Sequence, residues 1–439
     1  MRSSQQRRRM VTALCAAAAV VVVAGCGAGS RTGAETAAKV ACDFAKPAQA
    51  VDVDVLAYNS SAIDPFTNTM IKSCSKNDVT VKHEPIDFGG QVQKTTATLA
   101  GETGTYDVVE TYGFVIPKYA DKSKLRPLDD YFTKFSAEYG LDKINKGMRE
   151  AMTYKGKLYA IPMQAQMLVM VYRKDVFDGL GLQPPKTFED MRQAAKKIQD
   201  AGTIKYPIAL PLKASADIVT AFDATLGSLG KNLTNPDDHT ANLDSPESQK
   251  ALEQLISLKP YLAPQVTTFD QPAVQQQLYN GGAAMAIMFS GRMNDLVQQS
   301  NSKFYDKFAF AAPPVVDGGD VRYNALSVDG WSIPQNTQVD PELLFELIAA
   351  SVSEDASKAA IPAAYPARDG MVTATSSPYA AAAIESVNAA PPAEPYPWTS
   401  EISNQITPVI ASVFIGNVSV ADGTKQMQEI AKKVLADYR

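Results

Sequence analysis

The chain has 439 residues, 45% of them hydrophobic, and carries 42 lysines and arginines against 47 aspartates and glutamates, for a formal net charge of −5. An acidic chain is poorly matched to nucleic acid or anionic lipid. Two histidines (His83, His239) and no CxxC leave little from which to build a transition-metal site, and neither a metal nor a cofactor is expected.

The N-terminus "MRSSQQRRRM" holds four arginines and no acid, and an apolar or small run follows from Val11 to Gly25. A basic segment before an apolar one is the layout of a secretory signal. The run is shorter than the ~20 residues a membrane-spanning helix needs. Its end, "VAGC" (Val23–Cys26), resembles the lipobox of bacterial lipoproteins, with Val23 where leucine is commoner. The resemblance implies cleavage before Cys26, diacylation of its sulfur, and a protein held on the outer face of the bacterial cytoplasmic membrane. Two acyl chains anchor stably where one does not. Residues 26–49 are small and polar without a period, so a flexible tether is expected there. Two further cysteines, Cys42 and Cys74, suggest a disulfide in an oxidising compartment, with two buried thiols as the alternative.

Beyond the tether, strand-like and helix-like segments alternate, which predicts an α/β fold large enough for two domains. "VDVDVLAYN" (51–59) reads as a first strand, with Val51, Val53 and Val55 on one face. A helix (64–77), a strand (79–86), a helix (89–102) and a strand (106–113) follow. This βαβαβ order predicts a parallel sheet whose strand C-termini form a ligand crevice. "IPMQAQMLVMVYRKD" (161–175) reads as one long buried strand in which Gln164 and Gln166 share a face. Helices are expected over 188–202, 245–262 and 341–355, and strands over 281–291, 307–315 and 329–334. "NAAPPAEPYPWTS" (388–400) is too rich in proline to be regular.

Four stretches, in order, resemble the sugar-binding (family 1) extracytoplasmic solute-binding proteins of ABC importers: "YDVVETYGFVIPKYADKSKLRPLDDYF", "YKGKLYAIPMQAQMLVMVYRKDVFDGLGLQPPKTFEDM", "QLYNGGAAMAIMFSG" and "PAAYPARDGM". Three departures stand out. Arg173 replaces a usual Asn, Phe188 a usual Trp, and "GRM" (Gly291–Met293) a usual Gly-x-Trp that supplies an aromatic wall. The resemblance implies a two-lobed periplasmic-binding-protein fold, type II-like. Lobe 1 would take residues 50–165 and 328–358, and lobe 2 residues 166–327 and 359–439. By analogy the crossings fall near 164–168, 325–328 and 354–359. A monomer that closes on a sugar or polyol and hands it to an ABC permease is implied.

A polyol calls for amides, carboxylates and guanidinium groups that bond adjacent hydroxyls in pairs, and for aromatic rings over C–H faces. At strand ends and crossings the candidates are Asn59, Glu110, Tyr112, Gly113, Gln164, Gln166, Arg292, Asp329, Gly330, Trp331, Tyr365 and Arg368. Phe222 and Asp223 sit on a helix expected to line lobe 2, and Tyr396 and Trp398 on the proline-rich loop. With only two tryptophans, a mono- or disaccharide or a polyol is favoured over a long glucan. Three alternatives stay open. Arg292 and Arg368 in one cleft would favour an anionic solute such as a glycerophosphodiester, and an amino sugar or peptide is a further binding reading. Glu110 and Asp329 could serve a glycoside hydrolase if they faced each other across a cleft. A structural or adhesive lipoprotein is the third alternative.

Overall fold

A computed structural model describes residues 37–390 and 394–438. The signal segment, Cys26 and the first part of the tether lie outside the described residues. The strands, in chain order, are β1 (Val51–Leu56), β2 (Val79–His83), β3 (Val108–Tyr112), β4 (Thr153–Tyr154), β5 (Lys157–Leu158), β6 (Ile161–Arg173), β7 (Ile208–Ala209), β8 (Met285–Phe289), β9 (Phe308–Ala311), β10 (Leu326–Ser332) and β11 (Tyr365–Pro366).

The first sheet runs β2-β1-β3-β10-β6, with β1, β2 and β3 parallel and β10 antiparallel to both of its neighbours. Helices Asp64–Cys74 and Phe88–Ala100 make the crossovers, as a parallel sheet requires. In β1 the buried Val53 and Val55 alternate with the solvent-facing Asp52 and Asp54. The second sheet runs β7-β8-β6-β9. One strand belongs to both sheets. The Ile161–Met167 half of β6 pairs with β10, and Leu168–Arg173 pairs with β8 and β9. A thirteen-residue strand is ~43 Å long, enough to cross from one lobe into the other.

Each sheet carries its own core. Val53, Phe66, Ile116, Trp331 and Phe345 belong to the first, and Phe177, Phe188, Phe222, Ile287 and Ile406 to the second. Phe188 is fully buried, so its replacement of a tryptophan is a matter of packing. Arg173 is also a packing residue. It forks onto Asp175 at 2.7 and 2.6 Å and lies over the Phe304 ring at 3.7 Å.

Two expectations about chain path need correction. Residues from 37 onward are not a free tether. Ala38 and Val40 donate backbone N–H groups to Thr69 and Ser73, Phe44 is buried, and Cys42 is disulfide-bonded to Cys74. That bond closes a loop with a sequence separation of 32, worth ~3–4 kcal/mol in the chain-entropy view. Nor does the chain cross between lobes at 354–359. Helix Glu354–Ala360 stays on the first lobe, where Ala360, Ala364 and Ala367 join its core; Tyr379 is the next residue in the second core. The third passage therefore follows Ala367. The segment 354–359 is alanine-rich, and its small side chains suit close helix packing rather than a crossing.

Candidate functional site

The two glutamines of β6 share a partner. Gln164 Nε2 and Gln166 Nε2 donate to the same oxygen, Asp329 Oδ2, at 3.0 and 2.6 Å, and Ser327 Oγ donates to Asp329 Oδ1 at 2.8 Å. Asp329 lies opposite Gln164 on β10, so strand register sets this contact. Gln164 and Asp329 are fully buried. Burial pushes the Asp329 carboxyl up, while the three donors hold it down. Gln164 Oε1 accepts no hydrogen bond from the described residues.

Glu110, on β3, is the next carboxylate along this wall. Its Oε2 accepts the Tyr58 backbone N–H at 2.6 Å, and its Oε1 is buried without a hydrogen-bond partner. Burial drives its carboxyl well above the usual range, and Asp329 adds to the rise. Tyr112 stands beside it with its hydroxyl donating to Gln91 Oε1 at 3.2 Å. The rings of Tyr58, Phe88, Tyr112 and Phe114 form a continuous aromatic line, closed by a near-parallel stack of Tyr112 on Phe114 at 5.4 Å.

The second lobe meets this wall directly. Ser61 Oγ donates to the Gly291 carbonyl at 3.4 Å. The Arg292 guanidinium lies 5.2 Å from the Tyr58 ring centroid, a cation–π distance. Arg292 is 3% exposed, and neither Nη1 nor Nη2 has a hydrogen-bond partner among the described residues. Its pKa falls to about 10, because burial outweighs the pull of Asp295. Away from the crossing, Lys118 and Glu401 approach to 3.9 Å between the lobes. Gly291 is required for this closeness. A Cβ there would lie 2.7 Å from Gln166 Oε1 and 3.1 Å from the Ala62 Cβ.

The structure thus gathers Gln164, Gln166, Asp329, Glu110, Tyr112 and Arg292 at one junction, with Asn59 in the loop after β1, its backbone bonded to Ile86. Other candidates have different surroundings. Arg368 is a clamp: Nε, Nη1 and Nη2 donate to the carbonyls of Val352, Gly140 and Tyr139, each at 2.7 Å. It does not join Arg292, which removes the basis for an anion-binding pair. Trp331 is wholly buried in the first core, cross-strand from Glu110, and supports that residue from within the sheet. Gly330 serves strand packing, since a Cβ would come 2.7 Å from the Ile161 carbonyl. Gly113 donates its N–H to Val328 and faces Ala151 in the same way. Phe222 is fully buried in the second core.

Asp223 neighbours Glu394 and Ser403 rather than the junction, and burial raises its carboxyl. Tyr365 pairs its backbone with Ala165, and its ring packs against the second core. Tyr396 and Trp398 stack at 4.9 Å and are edged by His239.

Sequence reasoning missed Tyr58, Ser61, Asp64 and Asp295. All four lie within a few residues of a strand's C-terminal end, where an α/β crevice draws its ligands. The Ser-Ser-x-x-Asp run after β1 was the available signal. Asp64 is pushed up to about 7, by burial first, with the Asp295 charge adding and the Ser60 N–H opposing. Asp295 is fully buried and accepts Gln275 Nε2 at 3.3 Å. Among the described residues no group of three or more His, Cys, Asp or Glu side chains could hold a metal ion.

The bacterial extracellular solute-binding protein family matches residues 63–358, well over half of the chain. The chain belongs to that family. This solute-binding protein is 30% identical over 173 residues to a maltotriose-binding protein of Pyrococcus abyssi (39% of this chain, 35% of the relative). It is 26% identical over 253 residues to a mannitol-binding protein of Pseudomonas aeruginosa (56% of each). The matches thus span only about a third to a half of these relatives. Its fold superposes on an ABC transporter solute-binding protein from Agrobacterium radiobacter K84 in complex with ribitol, with TM-score 0.80, 22% identity, and 89% and 100% of the two chains covered. Maltose-bound MalE3 of T. maritima gives TM-score 0.78, 20% identity, and 88% and 100% coverage. Two α/β lobes with the periplasmic-binding-protein fold are thereby established, as is a family that works outside the cytoplasm.

Proposed function

We infer that the protein captures a sugar-like or polyol solute between its lobes outside the membrane and presents it to an ABC permease. The observation that carries this reading is the junction itself. Glu110 Oε1, Gln164 Oε1 and both Arg292 Nη atoms are buried polar atoms with hydrogen-bonding capacity unused by the chain. Buried polar groups without partners are costly, so a native protein retains them where something else bonds to them. Acceptors and donors in this mixture suit vicinal hydroxyls, and the Tyr58–Phe114 aromatic line suits C–H faces. The maltotriose- and mannitol-binding relatives and the ribitol- and maltose-bound folds support the same class of solute.

Because the junction draws on both lobes, a solute there would favour the closed arrangement over the open one, the differential contact that hinge closure needs. Glu110 and Asp329 come from neighbouring strands of one sheet, on one wall. A glycosidase needs its carboxylates on either side of the scissile bond, so binding without turnover is the reading taken here. A lipid anchor at Cys26 would keep the protein beside its permease, and solute transfer needs the chain only as a monomer.

The test is a thermal-shift panel of sugars and polyols on the mature protein, with substrate consumption followed in parallel. A bound solute at 100 times its Kd adds ~2.7 kcal/mol to stability. Stabilisation by at least one member without its consumption is expected. Consumption of a glycoside, or a panel with no effect, overturns the reading.

A further inference from the structure

The charge balance of the junction narrows the solute. Four carboxylic acids converge there: Glu110 and Asp329 from the first sheet, Asp64 from the start of helix Asp64–Cys74, and Asp295 from the second lobe. Glu110, Asp329 and Asp295 are at most 1% exposed. Among the described residues, no lysine and no arginine contributes to the electrostatic surroundings of Glu110, Asp64 or Asp329; what acts on them are other carboxyls, hydrogen-bond donors and burial. Arg292 is the one guanidinium at the junction, and its charge neighbour is Asp295.

Fully ionised, the group would hold four negative charges against one positive. Closing two lobes over such an excess is unfavourable unless protons or a cation enter. Glu110 Oε1, buried with no hydrogen-bond donor, is the specific place where a donor is wanted. A hydroxyl would satisfy its hydrogen bond and leave the charge. An ammonium would satisfy both. The same arithmetic counts against an anionic solute, since Arg368 is spent on three backbone carbonyls.

We propose that the solute carries a basic nitrogen, as in an amino sugar or an amino polyol, and that Glu110 receives its ammonium while Arg292 and Gln164 hold its hydroxyls. This rests on the solute-binding reading above and specifies it.

The test uses matched pairs on the mature protein: D-glucosamine against D-glucose, and 1-amino-1-deoxysorbitol against sorbitol, by thermal shift and then titration calorimetry at pH 7. The amine of at least one pair is expected to bind about tenfold or more tighter than its neutral counterpart, and Glu110→Gln is expected to abolish that preference. If the neutral member of each pair binds as tightly or tighter, the proposal falls and the solute-binding reading stands. The proposal also falls if Glu110→Gln leaves the preference intact. Silence from all four compounds overturns it, and if the wider sugar and polyol panel is silent too, both readings fall together.

Discussion

Asp64 shows how one residue couples the junction to pH. Its carboxyl is ionised above 3.8 in the unfolded chain and titrates at about 7 in the folded one. Between those values the folded state binds the extra proton, so this group's contribution to stability falls as pH rises from about 4 to 7 and is level above that. Three units correspond to about 4 kcal/mol at most. Asp64→Asn keeps an acceptor for the Ser60 N–H and removes the charge. Denaturant unfolding should therefore find the variant equal to wild type near pH 4 and more stable by roughly 2–4 kcal/mol at pH 7.5. A difference independent of pH would show that the Asp64 carboxyl is not forced into this environment. Arg368 makes the opposite point: it was chosen as a candidate because it is charged and near a crossing, yet all three donor nitrogens face backbone carbonyls. Residue type and position are visible in a sequence, but the direction of a guanidinium fork is not.

At the scale of elements, β6 and the Ser290–Arg292 turn set the distance between lobes. Gly291 lets the second lobe approach Gln166 and Ala62. Gly291→Ala places a methyl in that gap. The lobes must then stay slightly apart, or Gln166 must leave Asp329. We expect solute affinity to fall about tenfold or more through a smaller closed population, with the unfolding midpoint of the ligand-free protein nearly unchanged. Equal affinity in a calorimetric titration would mean that the Gly291 contact plays no part in closure.

The long strand and its paired glutamines were legible because a period of two survives in "MQAQM" and because apolar runs mark buried strands. The partner of those amides was not. Asp329 is 165 residues from Gln164, and only the register of β10 against β6 brings them together. The shared face of Glu110 and Trp331 was hidden for the same reason, so a core tryptophan read as a binding-wall residue. The N-terminal stretch from residue 37 looked like a tether because its composition is small and polar. Two hydrogen bonds and the Cys42–Cys74 bond fix it instead.

For the whole molecule, two cores joined by shared strands divide the work. Each lobe has its own buried apolar residues, so the polar junction between them can hold groups that stability alone would not favour. The central claim is that these groups grip the solute. It is tested most directly by titrating the best panel ligand into wild type and Arg292→Met, with the unfolding midpoint measured alongside. The methionine keeps an apolar stem against Tyr58 and removes the guanidinium. The predicted result is an affinity loss of about a hundredfold, since hydrogen bonds to charged groups are worth ~1.5–3 kcal/mol each, with a midpoint equal to or above wild type. Unchanged affinity would contradict the account and place the solute elsewhere.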